Sequence, residues 1–284
     1  MNRKAFLKTT ATGLGSAFFL TNLPGQLLAA GRLTNIPLGF QSWVVKEALA
    51  NNFSGTLKAM AAKGFRMVEM CSPKGYEKMG FGPLASLKGS EMRKIITDAG
   101  LTCPSCHYTF TELSAENLDD RIEFAKLLGL RHMICSHPGL PKTATLDEYL
   151  MRADGLNNAA EKVKKAGMQL AYHNHSIEFT SLDGRLIYDA LLDRLDPQLV
   201  KMQFQTEVIN LGYKGVDYFK RHPKRFISAH LSDWTADKKE MPIGQGVIDW
   251  KEFFAVAKNA GIETFFVEMT PGTFEESVRY IRSL

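Results

Sequence analysis

Apolar residues recur along this chain in short runs, at intervals of about thirty residues, with amphipathic stretches between them. The runs are Ile36–Phe40, Met67–Met70, Leu101–Cys103, His132–Cys135, Met168–Tyr172, Val200–Phe204, Phe226–Ala229 and Thr264–Val267. Each is too brief for a helix and suits a strand buried on both faces. The stretches between them carry helical period: Ser54–Ala62, Glu91–Ala99, Leu118–Leu128, Leu146–Lys165 and Asp249–Ala260. They stop at Gly64, Gly100, Gly129, Gly167 and Gly261, because a helix that turns directly into a strand needs a residue tolerant of positive φ.

Eight strands alternating with helices predict repeated βα units and a parallel sheet. An open doubly wound sheet would carry G-x-G-x-x-G after its first strand, and Gly244-x-Gly246 comes late and opens no such unit. No Pro/Ser-rich linker divides the repeat, and 284 residues accommodate one barrel of about 250. The expected architecture is a single-domain (β/α)8 TIM barrel of the α/β class, spanning 31–284.

Residues 1–30 read differently. Asn2-Arg3-Lys4 gives a positive start, Ala11–Leu20 is small and apolar, and Leu28-Ala29-Ala30 offers a small-residue cleavage site. The stretch is too short and too broken by Gly and Ser for a stable membrane span. Arg3-Lys4-Ala5-Phe6-Leu7-Lys8 resembles a twin-arginine export signal whose second arginine is lysine. An exported, periplasmic or extracytoplasmic protein is expected.

Composition narrows the function classes. Net charge is +5, yet Lys and Arg mostly alternate with Asp and Glu. The basic run Lys220–Arg225 reads as a solvated loop, so no nucleic-acid partner is expected. Cys103-Pro104-Ser105-Cys106 has C-x-x-C spacing, but no second pair accompanies it and no helix follows. Together with Cys71 and Cys135, these cysteines read as small buried hydrophobes. An oligomer is compatible with the sequence.

In a barrel the carboxyl ends of the strands form the functional mouth. Polar residues collect there: Gln41, Ser42 and Trp43 after the first run, Glu69 in the second, His107 after the third and His137 after the fourth. Tyr172-His173-Asn174-His175 closes the fifth, followed by Glu178. Gln203, Gln205 and Glu207 mark the sixth, His230 and Asp233 the seventh, and Glu268 the eighth. Five of the seven histidines sit at strand ends. Alternation along a strand puts His173 with His175 on one face, and Gln203, Gln205 and Glu207 on another. Such a set offers mixed N/O ligands for a divalent ion. Blander roles exist: His137 precedes Pro138-Gly139 and would cap a turn, and Glu69 would serve as an inward ion-pair partner.

These residues resemble a known family. Tyr172–Phe179 resembles the Y-H-N-H-x-x-E-F segment of the xylose isomerase-like TIM-barrel superfamily, the sugar phosphate isomerases/epimerases. Ala229-His230-Leu231-Ser232-Asp233 resembles its H-L-K-D motif, Ile243–Trp250 its L-G-x-G-x-x-D-W segment, and Phe266-Val267-Glu268 its closing F-V-E. The resemblance covers 36–284. It implies a divalent metal, Mn²⁺, Zn²⁺ or Mg²⁺, held by Glu178, Gln205, His230 and Glu268. Gln205 stands where the family usually has Asp, and Glu207 is the nearest acid that would restore the charge.

The implied chemistry is proton abstraction next to a carbonyl of a sugar or keto-sugar, a small-molecule carbohydrate substrate. It expects His173 or His175 as base, Glu178 as proton shuttle or ligand, and the metal or His230 as electrophile. Gln41, Trp43, Glu69, His107, His137 and Trp234 are expected to bind substrate, the two tryptophans by offering flat faces to a sugar ring. The alternatives are a 3-keto-glycoside lyase or hydratase on the same site, and a non-catalytic sugar-binding barrel that has lost the sixth-strand acid. A DNA-repair endonuclease would want more metal-binding histidines and a basic face.

Overall fold

The computed structural model describes residue 36 and residues 38–284. The expected leader, 1–30, lies outside the described residues. Eight parallel strands close into a barrel: β1 (Leu38–Gln41), β2 (Met67–Cys71), β3 (Thr102–Tyr108), β4 (His132–Cys135), β5 (Gln169–His173), β6 (Val200–Gln205), β7 (Phe226–Leu231) and β8 (Thr264–Val267). Each pairs with its sequence neighbours. The ring shuts where β1 meets β8, with Leu38 opposite Phe265 and Phe40 opposite Val267.

Helices α1 (Phe53–Ala62), α2 (Gly89–Asp98), α3 (Leu118–Leu128), α4 (Leu146–Lys165), α5 (Ile187–Arg194), α6 (Gly215–Arg221), α7 (Trp250–Ala260) and α8 (Phe274–Ser283) follow the strands in turn. Local chemistry sets their ends. Thr145 and Glu148 form a reciprocal capping box before α4, and Asp249 accepts from the Glu252 amide to open α7. Gly129 and Gly261 end α3 and α7 at φ 86° and 85°, as the sequence predicts. No helix among the described residues is long and apolar enough to cross a membrane.

Period-two alternation sorts the strand residues into two environments. Outward residues such as Phe204 and Phe226 pack against Tyr188, Tyr218, Phe219 and Phe253 in an aromatic shell under the helices. Each such side chain contributes roughly 1.5–3 kcal/mol through burial. Inward residues at the carboxyl ends are polar instead.

β3 runs to Tyr108, so the C-x-x-C lies inside a strand, and its cysteines are free and buried, the small-hydrophobe role expected of them. Helices α5, α6 and α8 follow weaker sequence signals. One expectation needs correction. The basic run is not wholly solvated: Arg225 is buried and its guanidinium donates to the Leu192 and Leu195 carbonyls at the end of α5.

Candidate active site

The deepest element of the site is Glu69 on β2, which is completely buried. Its carboxylate accepts from Gln41 Nε2 at 2.7 Å, Gln203 Nε2 at 2.8 Å and the Ser105 hydroxyl. Its Oε2 also meets His107 Nε2 at 3.0 Å and His230 Nε2 at 2.5 Å. Five strands thus converge on one carboxylate. Burial alone would raise the Glu69 carboxyl, but the imidazoles of His107 and His230 outweigh it and hold it well below the usual range.

Above Glu69 lie four imidazoles. His107 and His230 stack at 5.1 Å between ring centroids, while His173 stands 4.9 Å from His107, 4.5 Å from His230 and 4.8 Å from His175. Their environments differ sharply. His230 is bracketed by acids, with Nε2 on Glu69 and Nδ1 2.9 Å from Glu268. Burial opposes its protonation, yet Glu268 and Glu69 raise it to about 10. His173 is equally buried, and neither of its ring nitrogens has a partner. Burial and the neighbouring imidazoles drive it far below the usual histidine range, so it is neutral. Leaving such a group unpaired costs roughly 1–3 kcal/mol.

A cavity of about 160 Å³ opens beside this cluster. His107, His175 and Glu268 supply polar lining, Trp43, Tyr76 and Met79 apolar lining, and Ser136 and His137 complete it with Cys71. Trp43 keeps 37% of its surface exposed and packs edge-on to Tyr76, while the Lys46 ammonium lies 3.6 Å over its ring. His175, in the same lining, is an exposed residue. Partial desolvation of its imidazole pulls His175 below the usual histidine range, with Glu268 acting in the opposite sense.

The remaining expected residues have other places. Gln41 spends its amide on Glu69, Ser42 and the Trp43 amide. His137 lines the cavity and also accepts from the Gly139 amide at 3.0 Å, the turn-capping role. Trp234 lies in a hairpin, Asp233–Trp234 against Glu240–Met241, and is not part of the cavity wall. Glu207 falls in the turn Thr206–Leu211 beyond β6, so strand alternation does not govern it. It is half-buried, and burial with Glu268 nearby raises its carboxyl. His175 is also past its strand, as the N-cap of the turn Ser176–Phe179.

Of the metal set implied by the family resemblance, Gln205, His230 and Glu268 come together and Glu178 stands apart. Glu178 is buried with Tyr172, whose hydroxyl donates to Oε1 at 2.6 Å, while the His175 amide donates to Oε2 at 2.8 Å. Tyr172 alternates with inward-facing His173, so Glu178 braces the strand end from the helix side. Gln205 donates its amide to Glu268 at 2.5 Å. In addition, His107, His173 and His230 each offer a nitrogen, all within 4.8 Å of one another. The unpartnered nitrogens of His173 make this second set fit a divalent ion.

Asp233, also fully buried, does a different job. It accepts from the Gly244, Gly246 and Ile248 amides and from Trp250 Nε1. A Cβ on Gly246 would lie 2.1 Å from Asp233 Oδ1, which explains the glycine. Sequence reading missed Ser105, which shares a strand face with His107 two residues on and was therefore findable. It also missed Tyr76 and Met79, which sit in a loop without periodicity.

Fold and site together define an α/β barrel whose titratable side chains gather at the carboxyl ends of its strands. The chain belongs to the xylose isomerase-like TIM-barrel family, whose sequence model matches residues 57–284. It is 27% identical over 144 residues to an inosose dehydratase of Geobacillus thermodenitrificans, a match covering 43% of this chain and 47% of that protein. The chain thus spans about half the length of the curated relative. A sugar phosphate isomerase/epimerase of Parabacteroides distasonis superimposes with a TM-score of 0.72 at 23% identity, over 88% of this chain and 97% of that one. A xylose isomerase-like TIM-barrel protein of Mycobacterium smegmatis, in complex with magnesium, gives 0.66 at 15% identity, over 88% and 96%.

Proposed function

We propose that this chain is an enzyme that removes a proton from the carbon next to a carbonyl in a sugar or keto-sugar, as an isomerase or epimerase does. The observation that carries this reading is the pairing in one small cavity of a neutral imidazole, His175, with the carboxylate of Glu268. A neutral imidazole has a lone pair to accept a proton at physiological pH. His175 is therefore the base, and the neighbouring acid of Glu268 stabilises the imidazolium that results. Trp43 and Tyr76 hold the ring and keep water from that face.

Both ring nitrogens of His230 are engaged by acids, so it does not donate directly to substrate. Its positive charge acts through space on oxygen charge developing above it. A divalent ion held by the imidazoles would take the place of that charge, since His230 could ligate only in its neutral form, and would supply Lewis acidity toward the carbonyl oxygen. Wherever the carbon β to that carbonyl carries a leaving group, the same proton removal leads to elimination. The partial match to an inosose dehydratase supports this second reading. The export-type leader favours free or oxidised sugars over phosphorylated ones.

Incubation of aldoses, ketoses and 3-keto-glycosides with the protein in D₂O should place deuterium at a carbon α to the carbonyl. His175→Ala should slow exchange by about 10²–10⁴-fold. Exchange absent across the panel, or untouched by that substitution, defeats the assignment.

A further inference from the structure

The cavity's outer edge narrows the substrate class, and the inference rests on the proton-transfer reading for its location. We propose that the cavity takes one uncharged sugar ring and that Trp43 and Met79 form a subsite for an aromatic aglycone, so that the substrate is an aryl glycoside or its keto form.

Depth and polarity change together through the cavity. Cys71, Tyr76 and His107 are buried, whereas Trp43 and Met79 keep 37% and 41% of their surface exposed. Single apolar side chains on a surface need no explanation. These two come from different turns, Ser42–Val45 after β1 and Glu77–Met79 after β2, and line the same cavity. Size points the same way. About 160 Å³ falls short of the roughly 300–1,000 Å³ of pockets that enclose a whole drug-sized ligand. A group attached to the sugar therefore lies outward, against those exposed side chains.

Trp43 is fixed before any ligand arrives. Tyr76 meets it edge-on at 6.1 Å between ring centroids, and the Lys46 ammonium holds one face at 3.6 Å. The Lys46 stem runs alongside Gly80, next to Met79 in sequence, so the two turns are tied together. An indole already ordered loses little freedom on binding and suits a stacking platform. The flexible thioether of Met79 adapts to the edge of an aromatic group.

Charge argues against an acidic substrate. Among the described residues no Lys or Arg lines the cavity, and Glu268 supplies a carboxylate to its wall. A phosphate or uronate would bring its anion beside that carboxylate, with the Lys46 ammonium engaged by the indole. An uncharged aryl group meets no such penalty.

The test uses the full chain and matched methyl and phenyl glycosides of glucose, galactose and xylose, in both anomers, with affinity read by calorimetry. These glycosides lack the carbonyl and do not react, so binding is read alone. At least one phenyl glycoside should bind about tenfold more tightly than its methyl partner. Its p-nitrophenyl analogue should quench tryptophan fluorescence, and Trp43→Phe should remove most of the quenching. Met79→Ser and Trp43→Ala, each checked for folding by circular dichroism, should cut the preference to about threefold or less. Equal affinity within every pair, no binding across the panel, or a preference untouched by both substitutions overturns the proposal. So does tighter binding of methyl glucuronide than of phenyl glucoside, or self-association abolished by Trp43→Ala, which would give the edge to a second copy of the chain. Deuterium exchange on ketoses reports proton abstraction separately. A lost aryl preference leaves that reading standing, and a preference without exchange leaves the glycoside subsite without the chemistry.

Discussion

Four acids near the barrel mouth fall into two pairs that look alike in sequence and behave differently in three dimensions. Glu69 and Glu268 contact imidazoles: His230 lies between them, and Glu69 also holds His107. Glu178 and Asp233 spend their oxygens on backbone amides and on Tyr172 or Trp250. The first pair sets the charge of the site and the second sets the shape of the loops around it. An acid within a family motif is thus not a ligand by virtue of the motif. What accepts from it, or donates to it, decides.

The comparison breaks most visibly at Glu69. Glu69→Gln removes the charge that five donors share and leaves the imidazolium of His230 with one acid. Loss of one partner of a buried pair costs about 3–5 kcal/mol, so urea denaturation should show a large fall in midpoint together with loss of exchange activity. A variant as stable as the parent would mean that Glu69 is a dispensable packing group.

An imidazole without an acid sharpens the contrast. His132, at the start of β4, is buried at the opposite end of the barrel, and burial followed by Arg131 lowers it to about 4. Its folded value lies below its unfolded value, so the unfolded chain binds the proton first. The stability it contributes is complete above about pH 6.5 and is lost as pH falls toward 4, up to roughly 3 kcal/mol. Thermal melts from pH 7.5 to 4.5 should show a steeper decline for the parent than for His132→Gln, and parallel curves would refute this.

The smallest expected effect separates shape from chemistry. Asp233→Asn weakens the bonds to the loop of Gly244–Trp250 and should cost about 2 kcal/mol of stability. Once the protein is folded at low temperature, exchange should return to within a few-fold of the parent. A loss of 10²-fold or more in fully folded protein would move Asp233 into the first pair.

The eight strands were legible because apolar runs of strand length and glycine-terminated helices are local signals. The polar mouth was legible too, since strand ends can be located without coordinates. Alternation misplaces Glu207, because β6 ends at Gln205 and past that point the period no longer applies. His175 also lies past its strand, which ends at His173, yet its ring still meets His173 and lines the cavity as expected. Glu178 was read as a ligand because a motif states residue types and spacing, not which way a turn aims its acid.

The order of apolar and polar residues by itself determined a barrel and the end at which its titratable groups collect, because secondary structure and burial follow from period and composition along the chain. Closure of the ring decided the rest. It set Glu69 against Gln203 and His230, 134 and 161 residues away in sequence, and left His173 among them without a partner. Hydrogen-bond choice among buried groups depends on distances of an ångström or less, and only the folded chain supplies those.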